Sequence, residues 1–271
     1  MATFNRVPAV NPSWKYERLG PMALENHRQY CVRHGIDFLS EAPETRGMPH
    51  CWGKFEVLLD ALDRYEWVIW ADSDTLILDP TLIPSAYLAE DADLLSQCPV
   101  EFLTPFGLSE EDALCRMPVN TGVFMIRGCR WSKELLAHAA SLTHHASGEA
   151  LWNGIGDQEA LAEALVGNPD WRAHVRYVAD LQCHPRFYRS GILFVHLFGN
   201  RIEPVLPPDA ADRIVTRWEE RVARMAPLNP GEAALLHLAC TQCKPGHTHE
   251  ALGDPDMILY PSADELAEIT L

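Results

Sequence analysis

The sequence has few basic residues and no long apolar segment. Only 22 of its 271 residues are Lys or Arg, against 38 Asp or Glu, so the formal net charge is −16. Duplex nucleic acid is bound through Lys and Arg contacts to phosphate, and this charge argues against such a partner. No apolar run approaches the roughly 18 residues of a membrane span. The N-terminus lacks a charged segment leading into an apolar one, which is the pattern of a signal peptide, and we expect a cytoplasmic protein.

Internal repeats and low-complexity linkers are also missing. Strand-like and helix-like segments alternate, which favours an α/β fold with a largely parallel sheet. The pattern predicts helices at 22–34, 52–64, 131–145, 157–166, 208–226 and 231–239. It predicts strands at 3–7, 36–39, 67–71, 94–97, 119–126, 174–178 and 192–198. We expect a catalytic domain at 1–205 and a helical C-terminal extension at 206–271.

The most informative stretch is residues 66–79. An apolar run, Val68 to Ala71, delivers Asp72 and Asp74 at the point where a buried strand would end. In an open α/β sheet, ligands bind at the carboxyl ends of strands. Paired carboxylates there suit a hard divalent cation that keeps positions open for phosphate oxygens. The simplest chemistry for such a centre is activation of a sugar nucleotide, with the metal neutralising the departing diphosphate.

The same residues allow three other interpretations. Asp72-Ser73-Asp74-Thr75 matches motif I of haloacid-dehalogenase-like phosphatases, in which Asp72 would be the nucleophile and Asp74 the acid/base. That chemistry needs a downstream lysine and a later acidic pair on a strand end, and Lys133 and the segment Gly156-Asp157-Gln158-Glu159 are poor matches for them. A sugar-nucleotide-binding protein without turnover is another alternative. The simplest alternative is a turn with solvated acids.

Five further segments resemble glycosyltransferase family 34. They are, in chain order, Asn26 to Gly35, Cys51 to Phe55 with Leu58, Val119 to Ser132, Gly156 to Gln158, and His196 to Gly199. The resemblance spans residues 26–201 and implies a GT-A fold, a Rossmann-like nucleotide-diphospho-sugar transferase with a mixed sheet flanked by helices. It also implies a metal-dependent, retaining glycosyltransferase with a UDP- or GDP-sugar donor. The acceptor is not indicated.

The resemblance assigns roles to individual residues. Asp72, Asp74 and His196 would bind Mn²⁺ or Mg²⁺, and Asp157 and Gln158 would be the catalytic residues that face the anomeric region of the sugar. We expect donor contacts from Thr3, Asn26, Lys54, Asp72, Ser73, Asn120, Thr121, Gly122, His184, Gly199 and Arg201.

Taken alone, some of these residues have simpler explanations. Asp157 is of a type that often only caps a helix, and Gly122 could mark a bulge. The sequence also departs from the family at two positions: Arg201 stands where relatives usually carry Lys, and Gly156 replaces the first acid of an Asp-Asp-Gln element.

A last cluster lies near the C-terminus at 237–249. Cys240 and Cys243 form a Cys-x2-Cys pair, with His247 and His249 close behind them. Such a pair with nearby histidines can hold a structural Zn²⁺ tetrahedrally. A histidine-rich loop without metal is the alternative. The other cysteines are scattered, and we expect them to be buried thiols.

Overall fold

The computed structural model describes residues 1–3, 14–44, 48–88, 91–97, 109, 118–146, 156–183, 190–197 and 208–225. The chain divides into two compact units. The first contains Met1–Phe4, Leu39–Asp72 and Pro84–Leu181. The second contains Asn5–Phe38, Ser73–Ile83 and Gln182–Leu271. Each unit has its own sheet.

In chain order, the described elements fall into two helices, four strands, three helices, three strands and a last helix. The helices are α1 (Trp14–His34), α2 (Gly53–Ala61), α3 (Arg130–Ser141), α4 (Gly156–Val166), the single turn α5 (Pro169–Arg172) and α6 (Pro208–Ala223). The strands are β1 (Trp67–Ala71), β2 (Thr75–Ile77), β3 (Leu94–Ser96), β4 (Val123–Arg127), β5 (Val175–Tyr177), β6 (Gln182–Cys183) and β7 (Phe194–His196). Short 3₁₀ turns occupy His50–Trp52, Pro84–Tyr87 and Thr143–Ala146.

The sheet of the first unit is mixed, with the order β1-β4-β3-β5. β4 lies between β1 and β3 and runs antiparallel to both, whereas β3 and β5 are parallel. The largely parallel sheet predicted from alternation is therefore wrong, and the mixed sheet implied by the family resemblance is confirmed. Strands are parallel only when each connection returns the chain to the same end of the sheet. The chain enters β4 from the opposite end, so β4 is antiparallel to its neighbours.

Burial explains why β1 forms where the sequence predicts it. Four of its five residues, Val68 to Ala71, are buried, and the strand is continuously apolar because both faces of the sheet are covered. One covering element is α2, whose Phe55 and Leu58 recur at helical spacing and belong to the same core. β1 and β3 run in the same direction, because both oppose β4. Asp72 and Gln97 therefore follow strands that end at the same edge of the sheet.

The second unit is built from β2-β7-β6 together with α1 and α6. β2 is antiparallel to β7, and β6 is parallel to β7. Leu19 and Met22 on α1 share a core with Val215 and Trp218 on α6. Arg18 joins the same two helices by contacts of 3.1 Å to Glu219 and 3.3 Å to Asp212.

Several element boundaries differ from the sequence prediction. α1 begins at residue 14 instead of 22 and continues through Pro21, because its packing against α6 outweighs the local cost of the proline. The strand predicted at 36–39 is reduced to one bridge between Leu39 and Ala2. The helix predicted at 131–145 ends at Ser141, and β4 begins at Val123 instead of residue 119. Residues 231–239 and 240–256 lie outside the described residues, and the boundary at 205/206 stays a prediction.

No helix in the described part of the chain has both the length and the apolar character needed to cross a membrane.

His27 gives the second unit a testable dependence on pH. Its side chain is fully buried, with Nε2 3.2 Å from Oγ1 of Thr75, and burial lowers its pKa to about 4. An unfolded histidine has a pKa of about 6.5. Between these values the unfolded state binds the proton and the folded state does not, so stability falls as the pH falls. The full effect is roughly 3 kcal/mol.

We therefore expect the free energy of unfolding of the native protein to drop between about pH 7 and about pH 4.5, partly through this residue. His27→Gln should remove that part of the slope, measured as the difference from the native protein in urea unfolding curves. His138→Gln, which changes an exposed histidine, serves as the control and should keep the native slope. An unchanged slope in His27→Gln would contradict the assignment.

Candidate functional site

A buried lysine lies at the centre of the predicted site residues in the first unit. Lys54 is on the first turn of α2, and only 3% of its side chain is exposed. Its Nζ lies 2.5 Å from Oδ2 of Asp157, 3.1 Å from Oδ1 of Asp72 and 2.9 Å from the carbonyl oxygen of Thr121. An ammonium group has three N–H donors, and each finds an acceptor here. Lys54 therefore joins α2, the end of β1, the start of α4 and the segment before β4.

Electrostatics keeps this lysine charged. Burial by itself would lower the pKa of Lys54, but the attraction of Asp157, and then of Asp72, raises the pKa above its ordinary value. One ammonium thus faces two carboxylates. The Asp157 side chain is 8% exposed and the Asp72 side chain is 31% exposed. The more buried carboxylate has the closer cation, and the remaining negative charge lies at Asp72, where solvent or a further cation reaches it.

Asp72 is held by the strand that precedes it. Its backbone N–H donates to the carbonyl of Gly122 at 2.8 Å, which extends the pairing of β1 with β4 by one residue. The indole Nε1–H of Trp70 donates to Oδ1 of Asp72 at 2.7 Å. Nζ of Lys54 also lies 5.1 Å from the centre of the Trp70 ring. The carboxylate is therefore fixed before any ligand binds.

The predicted residues Asn120, Thr121 and Gly122 form a turn that leads into β4. The Gly122 N–H donates to Oδ1 of Asn120 at 3.0 Å, a local bond typical of Asn in turns. Asn120 N–H donates to Oγ of Ser96 at 3.0 Å. Thr121 N–H donates to Oε1 of Gln158 at 3.0 Å. The turn is therefore attached both to the end of β3 and to the first turn of α4.

The start of α4 is closely packed. Gly156 precedes Asp157, and a Cβ atom on it would lie 3.0 Å from the carbonyl oxygen of His145 and 3.5 Å from the Trp52 ring. Cys51 is a further neighbour, and burial, followed by the charge of Asp157, raises the pKa of its thiol to about 12. At neutral pH it is an inert thiol, as the sequence predicts for the scattered cysteines.

The second unit brings together two predicted metal ligands that are far apart in the sequence. β2 pairs with β7 so that Thr75 lies opposite His196, and Leu197 N–H donates to the carbonyl of Asp74 at 2.7 Å. This register leaves Nε2 of His196 3.3 Å from Oδ1 of Asp74. Both residues are buried, at 4% and 9% exposure. A carboxylate beside a buried imidazole is a donor pair that suits a divalent transition-metal ion.

Asn26, Thr3 and Ser73 are buried as well. The amide of Asn26 donates to the carbonyls of Ile77 and Val222, both at 3.1 Å, and accepts from Ile77 N–H at 2.8 Å. These bonds hold β2, and the donor contact expected of Asn26 stays a prediction. Three predicted donor residues, His184, Gly199 and Arg201, lie outside the described residues. So do the zinc candidates Cys240, Cys243, His247 and His249.

Two contributors to the site were missed at the level of sequence. Trp70 precedes Asp72 by two residues and therefore lies on the same face of the extended chain, which is the signal that could have identified it. Ser96 is the first polar residue after the apolar pair Leu94-Leu95, at the end of β3 that meets the turn.

Comparisons with known proteins show that the chain is similar to glycosyltransferases. The model of the galactosyl transferase GMA12/MNN10 family matches residues 6–94. The chain is 24% identical over 182 residues to the probable alpha-1,6-mannosyltransferase MNN10 of Saccharomyces cerevisiae, covering 58% of this chain and 46% of that protein. It is 31% identical over 190 residues to the putative glycosyltransferase 7 of Arabidopsis thaliana, covering 68% of this chain and 40% of that protein. The chain thus spans about half the length, or less, of these relatives.

One solved structure has a related fold. It is a glycosyltransferase involved in the glycosylation of the major capsid of PBCV-1, with a TM-score of 0.52 and 17% identity, covering 82% of this chain and 98% of that one. The predicted GT-A-type α/β fold is therefore confirmed.

The buried ion pair of Lys54 gives a prediction about stability. In Lys54→Met the Asp157 carboxylate stays buried without its cation, and breaking a buried pair in this way costs about 3–5 kcal/mol. The double variant Lys54→Met/Asp157→Asn should recover much of that loss, because the buried charge is then removed. Urea unfolding of the single and double variants measures both effects.

The matched control is Lys133→Met. Lys133 pairs with Asp63 at the same 2.5 Å, but the two side chains are 40% and 70% exposed, so we expect a loss of at most about 1 kcal/mol. The buried arrangement would be contradicted if Lys54→Met cost no more than this control.

Proposed function

We propose that this chain, a relative of the galactosyl transferase GMA12/MNN10 family, is a metal-dependent glycosyltransferase that moves a sugar from a nucleoside diphosphate donor to a hydroxyl acceptor. The observation that carries the proposal is the buried pair of Asp74 and His196, 3.3 Å apart although 122 positions separate them in the sequence. A second carboxylate, Asp72, precedes Asp74 by two residues on the chain. The relatives named as glycosyltransferases give the reaction class.

The donor set fits a hard or borderline divalent cation. Asp72 and Asp74 offer carboxylate oxygens and His196 offers an imidazole nitrogen, a combination that suits Mn²⁺, with Mg²⁺ as the alternative. In the proposed role the cation supplies positive charge to the departing nucleoside diphosphate. The protein as a whole, at −16, repels that group. Local positive charge is therefore needed where the diphosphate binds.

Asp157 and Gln158 are the proposed catalytic residues. The Asp157 carboxylate pairs with the ammonium group of Lys54, and Gln158 accepts from Thr121 N–H, so both are fixed near the start of α4. Fixed negative charge and amide dipoles stabilise the positive charge that develops at an anomeric carbon. Since Lys54 already directs its three donors to protein acceptors, we infer that it positions the carboxylates of Asp157 and Asp72.

We further propose that the reaction retains anomeric configuration. Asp157 is bonded to an ammonium group at 2.5 Å, which lowers its nucleophilicity. A front-face reaction, in which the leaving phosphate takes the proton of the acceptor hydroxyl, needs no protein nucleophile. This proposal rests on the family resemblance and on the pairing of Asp157.

The phosphatase alternative is not favoured. It requires a lysine downstream of Asp72, but in the part of the chain that the structure describes the lysine that contacts Asp72 is Lys54, which precedes it. Lys133, the downstream candidate, pairs with Asp63 at the surface. Asp157 begins a helix instead of ending a strand. A binding protein without turnover remains the second hypothesis, and only an activity measurement separates it from the enzyme.

The metal assignment predicts the behaviour of two variants. Asp72→Asn and Asp74→Asn should each abolish Mn²⁺-dependent binding of UDP or GDP in calorimetry. Sugar transfer should fall by at least about 100-fold, because stabilisation of the leaving group is lost. Asp63→Asn, at an exposed carboxylate, is the control and should behave as the native protein. Near-native transfer by either site variant at saturating Mn²⁺ would show that the metal site is wrongly placed.

A second prediction concerns Arg201, which we propose contacts the diphosphate, as the family resemblance implies. Arg201→Ala should lower kcat and weaken nucleoside diphosphate binding, because negative charge accumulates on the leaving group in the transition state. Arg201→Lys should recover part of the activity, since a point charge still faces phosphate. Arg224→Ala is the control, an exposed arginine paired with Glu220. Equal binding by Arg201→Ala and the native chain would remove this residue from the proposed site.

A further inference from the structure

We propose that the first unit carries a second metal site, for Zn²⁺ or a similar borderline transition-metal ion, formed by His144, His145 and Glu163. These residues take no part in the proposed sugar transfer. They lie on the 3₁₀ turn Thr143–Ala146 and on the exposed side of α4. The inference is independent of the proposed function and rests on the geometry of this cluster.

Two imidazole nitrogens lie close to one carboxylate oxygen. Nε2 of His144 lies 3.0 Å and Nε2 of His145 lies 2.6 Å from the same oxygen, Oε2 of Glu163. The two imidazole rings are neighbours, with centres 4.1 Å apart. One ligand atom from each residue lies within 4.8 Å of the others. In tetrahedral coordination with metal–ligand distances of about 2.0–2.2 Å, ligand atoms lie roughly 3.3–3.6 Å apart, so small side-chain movements are sufficient.

The surroundings also match those of metal sites. A metal-bound histidine usually donates its other ring nitrogen to a carboxylate, which fixes the ring. Nδ1 of His145 lies 3.5 Å from Oε2 of Glu159. Glu159 and Glu163 are four residues apart on α4, a spacing at which two like charges destabilise a helix. A bound cation removes this repulsion.

The donor set selects a different ion from the one proposed for sugar transfer. Two imidazoles and one carboxylate form a typical three-ligand zinc set that leaves a fourth position open. Imidazole suits zinc, nickel and copper, whereas carboxylate oxygens favour manganese and magnesium. The His144 and Glu163 side chains are 60% and 48% exposed, and that of His145 is 19% exposed, so an ion reaches them from solvent.

Binding here would act on the start of α4. The carbonyl oxygen of His145 lies 3.0 Å from the position of a Cβ on Gly156, the residue before Asp157. An ion held by both the 3₁₀ turn and α4 would restrain the turn beside Gly156. We therefore infer that an ion bound here stabilises the first unit.

The test is a Zn²⁺ titration by calorimetry on the full chain without a histidine tag. The background protein carries Cys240→Ser/Cys243→Ser, which removes the thiols of the possible C-terminal zinc site. Saturating Mg²⁺ occupies the proposed metal site of Asp72, Asp74 and His196. We expect one Zn²⁺ site, with Kd below roughly 10 µM. His144→Ala, His145→Ala and Glu163→Gln should each weaken it by at least about 10-fold, and Glu159→Gln by about 10-fold. Co²⁺ substitution should give the strong visible absorption of tetrahedral coordination, and Zn²⁺ should raise Tm.

The controls are His138→Ala and Glu134→Gln, an exposed histidine and an exposed glutamate on α3, and both should bind Zn²⁺ as the background protein does. The substituted histidines and glutamates are exposed or partly exposed, and circular dichroism checks that each variant is folded. The proposal is overturned if the background protein has no Zn²⁺ site tighter than roughly 10 µM. It is equally overturned if the cluster variants bind as tightly as the controls, since these residues would then form only a hydrogen-bonded surface cluster.

Discussion

The candidate site of the first unit depends on one buried ammonium group. A lysine removed from water is costly unless all its donors are satisfied and its charge is matched, and Lys54 meets both conditions through Asp157, Asp72 and the Thr121 carbonyl. Because these partners come from three separate segments, the bond network fixes the end of β1, the start of α4 and the turn before β4 relative to one another. The lysine pairs more closely with Asp157, the more buried of the two carboxylates, and Asp72 remains partly exposed. The same lysine therefore fixes one carboxylate while leaving the other accessible to a cation.

In the second unit, the position of the metal-ligand pair depends on how the short strand β2 is held. One edge of β2 pairs with β7, which sets His196 beside Asp74. At Ile77, the side-chain amide of Asn26 accepts from the backbone N–H and donates to the carbonyl, as a neighbouring strand would. Buried backbone groups need such partners, and a three-residue strand has few bonds of its own. Asn26 thus supports the site through the register of β2, an explanation that does not require it to touch a ligand.

The sequence predicts local features well where one physical cause dominates. β1 was predicted at its observed bounds because a short apolar run between polar flanks has one good solution, a strand buried on both faces. Strand direction depends on how distant segments connect, which a local pattern does not show. The largely parallel sheet predicted from alternation was therefore wrong at β4, which is antiparallel to both its neighbours. The start of α1 was missed because α6, nearly 200 residues later, stabilises a turn that local propensity disfavours. The motif resemblance identified Lys54, Asp72 and Asp157 separately, but no pattern indicated that one ammonium group binds both carboxylates.

The departure at Gly156 follows from the same constraints. The family resemblance implies an acid there, yet in this chain the nearest neighbour of an added Cβ would be a backbone oxygen, that of His145, which moves only if its turn moves. A carboxylate at this position would also face that carbonyl dipole and the neighbouring Asp157. It would add a third negative charge beside the single Lys54 ammonium, without a new cation to match it. Close packing of the 3₁₀ turn against α4 and the absence of the acid are therefore linked. Asp157 is left as the one acid of this element, and Lys54 alone is sufficient to neutralise it.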